Sequence, residues 1–211
     1  MIERFDIRDL AAVPWKNGGG TTREIICRPA HADVADVANA MDFAWRASIA
    51  TLAASGPFSV FPGVDRSITL LQGGGVRLRA TDGDAIDHHL DTPFMPFAFD
   101  GARAVHATLL AGESLDFNVM TRRERLRADV RAVRTACLLQ SAACGLVYAA
   151  AGDWTYQDGP AVTRRLSSGQ GVWWDAPHAH SLSVVPVTPL AVLLAVAIVS
   201  AGRAREPGRL Q

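Results

Sequence analysis

Lysine is nearly missing from this chain: Lys16 stands alone, and the other twenty of its 21 basic residues are arginines. A GC-rich genome accounts for such a skew, and arginine also brings a planar fork suited to carboxylates. Net charge is missing as well. The 21 acidic residues balance the basic ones, so nothing electrostatic points to nucleic acid or to an anionic membrane as partner. Cys27, Cys137 and Cys144 are odd in number and match no zinc spacing, which predicts reduced, buried thiols. The longest apolar run, Pro189 to Ala201, falls short of the roughly 20 residues of a spanning helix. The opening MIERFDIRDL carries charges throughout and has no apolar stretch typical of a secretion signal. A cytoplasmic protein is expected.

The usual catalytic signatures are absent too. No Gly-x-Ser-x-Gly elbow occurs and no cysteine neighbours a histidine. The runs Gly18 to Gly20 and Gly73 to Gly75 lack the ending of a phosphate-binding loop and form no dinucleotide fingerprint. The second run lies between two expected strands, where a hairpin turn explains it.

What remains reads as strands. Short apolar segments separated by Gly, Pro and Asp fill most of the chain, as in an all-β protein. FAWRASIATL places Phe43, Trp45, Ala47 and Ile49 on one face, with Arg46 and Ser48 on the other. In LDFNVM, Asp116, Asn118 and Met120 share a face opposite Phe117 and Val119. LRADVRAV alternates as well, although Leu126, Val130 and Val133 also fit a helical stripe. HADVADVANAM (His31 to Met41) is the other helix candidate.

The pattern also repeats. SITLLQGGGVRLRA (Ser67 to Ala80) can be laid on GLVYAAAGDWTYQD (Gly145 to Asp158). LDTPFMPFAFDG (Leu90 to Gly101) lies against LSSGQGVWWDAP (Leu166 to Pro177) at the same offset of about 77 residues. Two copies of a small β-unit follow, with residues 1–122 as the first barrel and 123–211 as the second. GVWWDAPHAH resembles the second cupin motif, so the expected fold is a bicupin, two tandem jelly rolls with few helices. A metal-binding cupin needs a His-x-His and a carboxylate besides a later histidine. His88 and His89 are adjacent and point to opposite sides of a strand. His178 and His180 are suitably spaced but lack a third ligand. No metal and no other cofactor is expected.

The stretch PWKNGGGTTREI is harder to absorb as packing. Trp15, Lys16 and Asn17 offer a stacking surface, a cation and an amide ahead of Gly18 and Gly19. Glycine-freed N–H groups can form an anion-binding concavity, or the glycines can permit a tight crossing with Trp15 as a plug. Further along, Arg46 and Ser48, Asp65 and Arg66 after a Pro-Gly turn, and Asp116 and Asn118 give polar strand faces that require partners. An internal arginine–carboxylate network would supply them; so would a cavity whose arginines grip a ligand carboxylate.

These pieces resemble a known family. PWKNGGGTTREI, FAWRASIA, GPFSVFPGVDRSITLLQGGGVRL, FAFDG and DFNVMTRR run in order from Pro14 to Arg123, and together they closely resemble the HutD/Ves family. The chain departs from the family pattern at Phe117, where leucine is usual, and in a longer connection around His31 to Met41. The resemblance implies a bicupin without a metal-binding histidine set, associated with histidine utilisation in bacteria. It further implies ligand binding or regulation, such as sensing a pathway intermediate like formylglutamate or urocanate. A small carboxylate in the first barrel is the expected partner, with Arg46 or Arg66 on its charge, Asn17 and Asn118 on amide or formyl groups, and Trp15 as a wall. KNGGG would close a loop backbone over that acid. Two other readings stand beside it: a metal-independent hydrolase or isomerase using Asp116, Glu24 or Asp65 as base, and a protein-interaction module. A homo-oligomer is compatible with all three.

Overall fold

The computed structural model describes residues 2–29, 43–83, 86–140, 142–175 and 181–202. Every regular element among them is a strand. The first eleven are β1 (Glu3–Asp6), β2 (Ala12–Pro14), β3 (Gly20–Pro29), β4 (Phe43–Leu52), β5 (Gly56–Pro57), β6 (Val64–Gly73), β7 (Val76–Ala80), β8 (Asp87–Leu90), β9 (Pro96–Asp100), β10 (Val105–Leu109) and β11 (Ser114–Arg122). Then come β12 (Leu126–Val133), β13 (Cys137–Leu139), β14 (Cys144–Ala151), β15 (Trp154–Asp158), β16 (Arg164–Leu166), β17 (Gln170–Trp174), β18 (Leu182–Pro186) and β19 (Val192–Ser200).

The duplication expected from the sequence is visible in the strand order. The first unit pairs a large sheet β2-β3-β4-β11-β6-β9 with a small sheet β5-β10-β7-β8. The second pairs β1-β17-β14-β19-β12 with β13-β18-β15-β16. Adding eight to each label carries β4-β11-β6-β9 onto β12-β19-β14-β17, and β5-β10-β7-β8 onto β13-β18-β15-β16. Each unit is therefore a jelly roll with one sheet extended at an edge. The first is extended by the β2–β3 hairpin that carries PWKNGGG.

The second extension crosses the expected boundary at residue 122. Strand β1 pairs antiparallel with β17, from Glu3 opposite Trp173 to Asp6 opposite Gln170. Gly171 explains the fit: a Cβ there would stand 2.3 Å from the Phe5 ring and 2.4 Å from the Val147 carbonyl oxygen.

The two large sheets face one another. Trp45, Ala47, Ile49, Phe117 and Val119 from the first meet Leu146, Tyr148, Leu194, Val196 and Ile198 from the second in one apolar cluster. Phe117 stacks on Tyr148 at 5.9 Å, and Phe5 covers the same tyrosine at 6.1 Å. Alternation drives this arrangement, because odd-numbered residues of β4 and β11 turn toward the partner sheet and even-numbered ones toward their own barrel. Phe43 departs from its expected face and joins Phe61, Val64 and Met120, beyond an irregularity in the β3–β4 ladder at Arg28/Pro29. Leu126–Val133 is a strand, not a helix: it pairs with β19 along its length, and its arginines and Asp129 stay exposed. The helix expected over His31 to Met41 lies outside the described residues.

Candidate functional site

The interiors of the two barrels differ. The second is filled by Val147, Trp154, Tyr156, Leu166, Val172, Trp174, Leu193 and Ala195 among others. In the first, an apolar cluster around Ile68, Leu70, Leu78 and Val105 fills one end. A cavity of about 680 Å³ opens at the other. Ladder positions locate the change. Asp116 pairs with Leu70 and Asn118 with Ile68. At the offset of 77, Asp116 and Asn118 correspond to Leu193 and Ala195 of β19, both buried in the second core. Two polar side chains of the first barrel thus stand where the second has a leucine and an alanine.

The cavity floor is the inner face of the first large sheet. Across it run three rungs, Ala50–Asp116–Leu70, Ser48–Asn118–Ile68 and Arg46–Met120–Arg66. The walls come from the β2–β3 connection with Trp15, Lys16 and Asn17, and from Pro57 to Phe61. Of the residues singled out in the sequence, Trp15, Lys16, Asn17, Arg46, Ser48, Arg66, Asp116 and Asn118 line this one space. Asp65 does not. One position before Arg66, it faces away and pairs with Arg123 at 2.6 Å, an arginine that also binds Asp100. Gly18 and Gly19 are not lining residues either.

The glycines answer to protein contacts. Gly18 takes φ +70° in a turn closed by its N–H donating to the Trp15 carbonyl at 3.0 Å. Gly19 accepts from the Ala53 and Ala54 N–H groups. A Cβ on Gly20 would lie 2.1 Å from the Thr51 carbonyl oxygen. The run lets the hairpin cross tightly against β4, so the expectation that it closes over an acid gives way to a packing explanation. Trp15 is held in place by its Nε1–H donating to Thr22 Oγ1 at 2.7 Å.

Arginine roles separate clearly. Arg46 Nε lies 2.8 Å from Glu24 Oε2, a charge contact without hydrogen-bond alignment. Arg66 is buried at 5 % exposure with its guanidinium among Phe58, Phe61 and Phe99, 5.0 to 5.6 Å from their ring centres. Among the described residues its sole hydrogen bond is a long one, from Nη1 to the Ser59 carbonyl at 3.4 Å, and Nε has no partner there. Sequence reasoning missed the three phenylalanines; the stretch GPFSVFPG gives no sign that their rings converge, since Phe99 comes from a distant strand. Rings hold the faces of this cation and leave its N–H edges free.

Burial pushes Arg66 down to about 10, opposed by attraction to Asp116. It pushes the Asp116 carboxyl up to about 7, with Arg66 opposing only in part. Asp116 Oδ1 and Asn118 Oδ1 are buried and have no hydrogen-bond partner among the described residues. Elsewhere, His88 stacks on Phe97 at 3.8 Å, a packing role for one of the adjacent histidines. Among the described residues no group of three or more His, Cys, Asp or Glu is placed to hold a metal; His178 and His180 lie outside them.

Duplicated jelly rolls, one filled and one opening on a buried arginine, define a bicupin with a polar cavity in its first barrel. The chain belongs to the HutD family, whose model matches residues 7–191. It is 43% identical over 185 residues to Protein Ves of Cronobacter sakazakii, covering 87% of this chain and 92% of the relative. HutD from Pseudomonas fluorescens SBW25, solved in a formate condition, superposes with a TM-score of 0.79 at 29% identity, covering 96% of this chain and 100% of that one. A conserved Pseudomonas aeruginosa PAO1 protein of unknown function gives 0.80 at 30%, with the same coverage. Lactobacillus farciminis oxalate decarboxylase shares the fold at 9% identity and a TM-score of 0.62, over 93% of this chain and 88% of its own.

Proposed function

We propose that the protein is a non-catalytic binder of a small carboxylate, serving as a sensor or regulator in histidine catabolism. The observation that carries this reading is Arg66: a buried guanidinium, caged by three aromatic rings, whose Nε lacks a partner beside an open cavity. A ligand carboxylate satisfies it in the forked geometry arginine favours. Asn118 and Asp116 then meet the remainder of the ligand, and Trp15 walls it. Pathway intermediates such as formylglutamate and urocanate carry this combination of carboxylate and nitrogen-bearing groups. Membership of the HutD family supports the pathway, and the formate condition of one relative makes formate a natural probe.

The test is a thermal-shift panel with histidine, urocanate, formiminoglutamate, formylglutamate and glutamate. A ligand at 100 times its Kd should stabilise by about 2.7 kcal/mol. Arg66→Ala is expected to abolish the shift, and Arg46→Ala to reduce it. No shift with any of the five would remove the reading.

A second reading, a metal-independent hydrolase or isomerase, is favoured by one observation, the Asp116 carboxyl at about 7 in the cavity, where a general base works best. It requires product from one of these compounds, lost in Asp116→Asn.

A further inference from the structure

Asp116 has no obvious reason to be an acid if the cavity simply binds anions. Its carboxyl stands on the cavity floor at 2 % exposure, in the position where the duplicated barrel carries the core residue Leu193. An ionised carboxylate there would repel an incoming carboxylate. We propose that the cavity takes up its anion together with a proton, Asp116 being the carboxylic acid in the liganded state and donating its O–H inside the site. This rests on the small-carboxylate reading above.

The surroundings decide the direction. The charged groups that share the cavity are Arg66 from β6, Arg46 from β4, Glu24 from β3 and Lys16 from the β2–β3 connection. Glu24 and Arg46 are paired, and Lys16 is exposed on the rim. Among the described residues Arg66 is therefore the one buried cation facing Asp116, and it favours the ionised form of Asp116. An anion seated on Arg66 cancels that support and adds a negative charge in a low-dielectric space. Both effects favour the acid form. The unpartnered Oδ1 atoms fit the same account. Asp116 Oδ1 and Asn118 Oδ1 are both buried without a partner among the described residues, and a ligand carboxylate brings further acceptors, so an ionised Asp116 would add to an excess of acceptors in the site. Protonated, Asp116 supplies the missing donor. Without a ligand, Arg66 supports the carboxylate near neutral pH; with one, the proton is retained. The balance is one anion and one proton bound, with Arg66 charged throughout.

Linkage then fixes the behaviour. Above roughly pH 7, where free Asp116 is ionised, each bound anion must draw a proton from solvent, and Kd rises about tenfold per pH unit. Formate and N-formylglutamate remain ionised from pH 6 to 9, so their own titration does not contribute. Measuring Kd for both across this range, we expect the tenfold slope above pH 7 in wild type and in Asp65→Asn, whose carboxyl pairs with Arg123 outside the cavity, and a flat profile in Asp116→Asn. Calorimetry on wild type at pH 8 in HEPES and in Tris should count close to one proton taken up per ligand, a readout independent of whether the variant folds. Binding with no proton uptake and a flat wild-type profile would overturn the coupling and leave the anion site standing. An unchanged slope in folded Asp116→Asn would do the same. If neither compound binds at any pH, the carboxylate reading and the coupling fail together.

Discussion

At the residue scale, the contrast between Arg46 and Arg66 is the most informative. Both sit on the cavity face, yet one has a carboxylate partner and the other only rings and a long bond to a carbonyl. Lysine cannot copy the second: a compact ammonium lacks the planar fork. Arg66→Lys should therefore weaken ligand binding at least tenfold, read by titration, even where the fold is kept. Asp116 gives a stability prediction. Its folded-state value of about 7 exceeds the ordinary carboxylate value near ~4, so the folded protein holds this proton more tightly than the unfolded chain. Stability from this group is full below pH ~4 and is lost as pH rises toward about 7, by up to ~4 kcal/mol. Urea titrations at pH 4.5 and 7.5 should show that fall shrinking in Asp116→Asn. Gly20→Ala should lose roughly 2 kcal/mol or more, because its new methyl meets the backbone of β4; the same titration checks it.

At the scale of elements, alternation made much of the molecule legible. The faces of β11 and of most of β4 follow directly from the period of two, and the 77-residue offset anticipates the eight-strand correspondence. The same alternation puts Asp65 on the face opposite Arg66, where it pairs with Arg123. The three-ring cage was illegible because no local pattern reports the meeting of Phe58 and Phe61 with Phe99. Nor does local sequence say that Gly20 must clear the Thr51 carbonyl; the reason lies on another strand. β1 was missed for a similar cause, since its partner sits in the other half of the chain. Phe5 anchors it over Gly171 and Tyr148. Phe5→Ala should cost about 3 kcal/mol and speed hydrogen exchange along β1 and β17 more than in the first barrel.

At the scale of the whole molecule, the large sheets share one apolar interface, and neither half buries its face alone. We expect a single calorimetric unfolding transition, and expect fragments 1–122 and 123–211 to be unstable when made separately. Phe117→Ala, removing a side chain with 0 % exposure at that interface, should lower stability by about 3–5 kcal/mol without splitting the transition. The pairing of β1 with β17 has a further outcome, in time. Glu3–Asp6 leaves the ribosome well ahead of Gln170–Trp174, and at roughly 5–20 residues per second it waits about 10–30 s for its neighbour. During that interval the first barrel can close while this short segment stays unpaired, and Glu3, Arg4 and Asp6 give it charges that discourage the wrong strand. The early segment thus becomes a late clasp, fastened when the second barrel is synthesised.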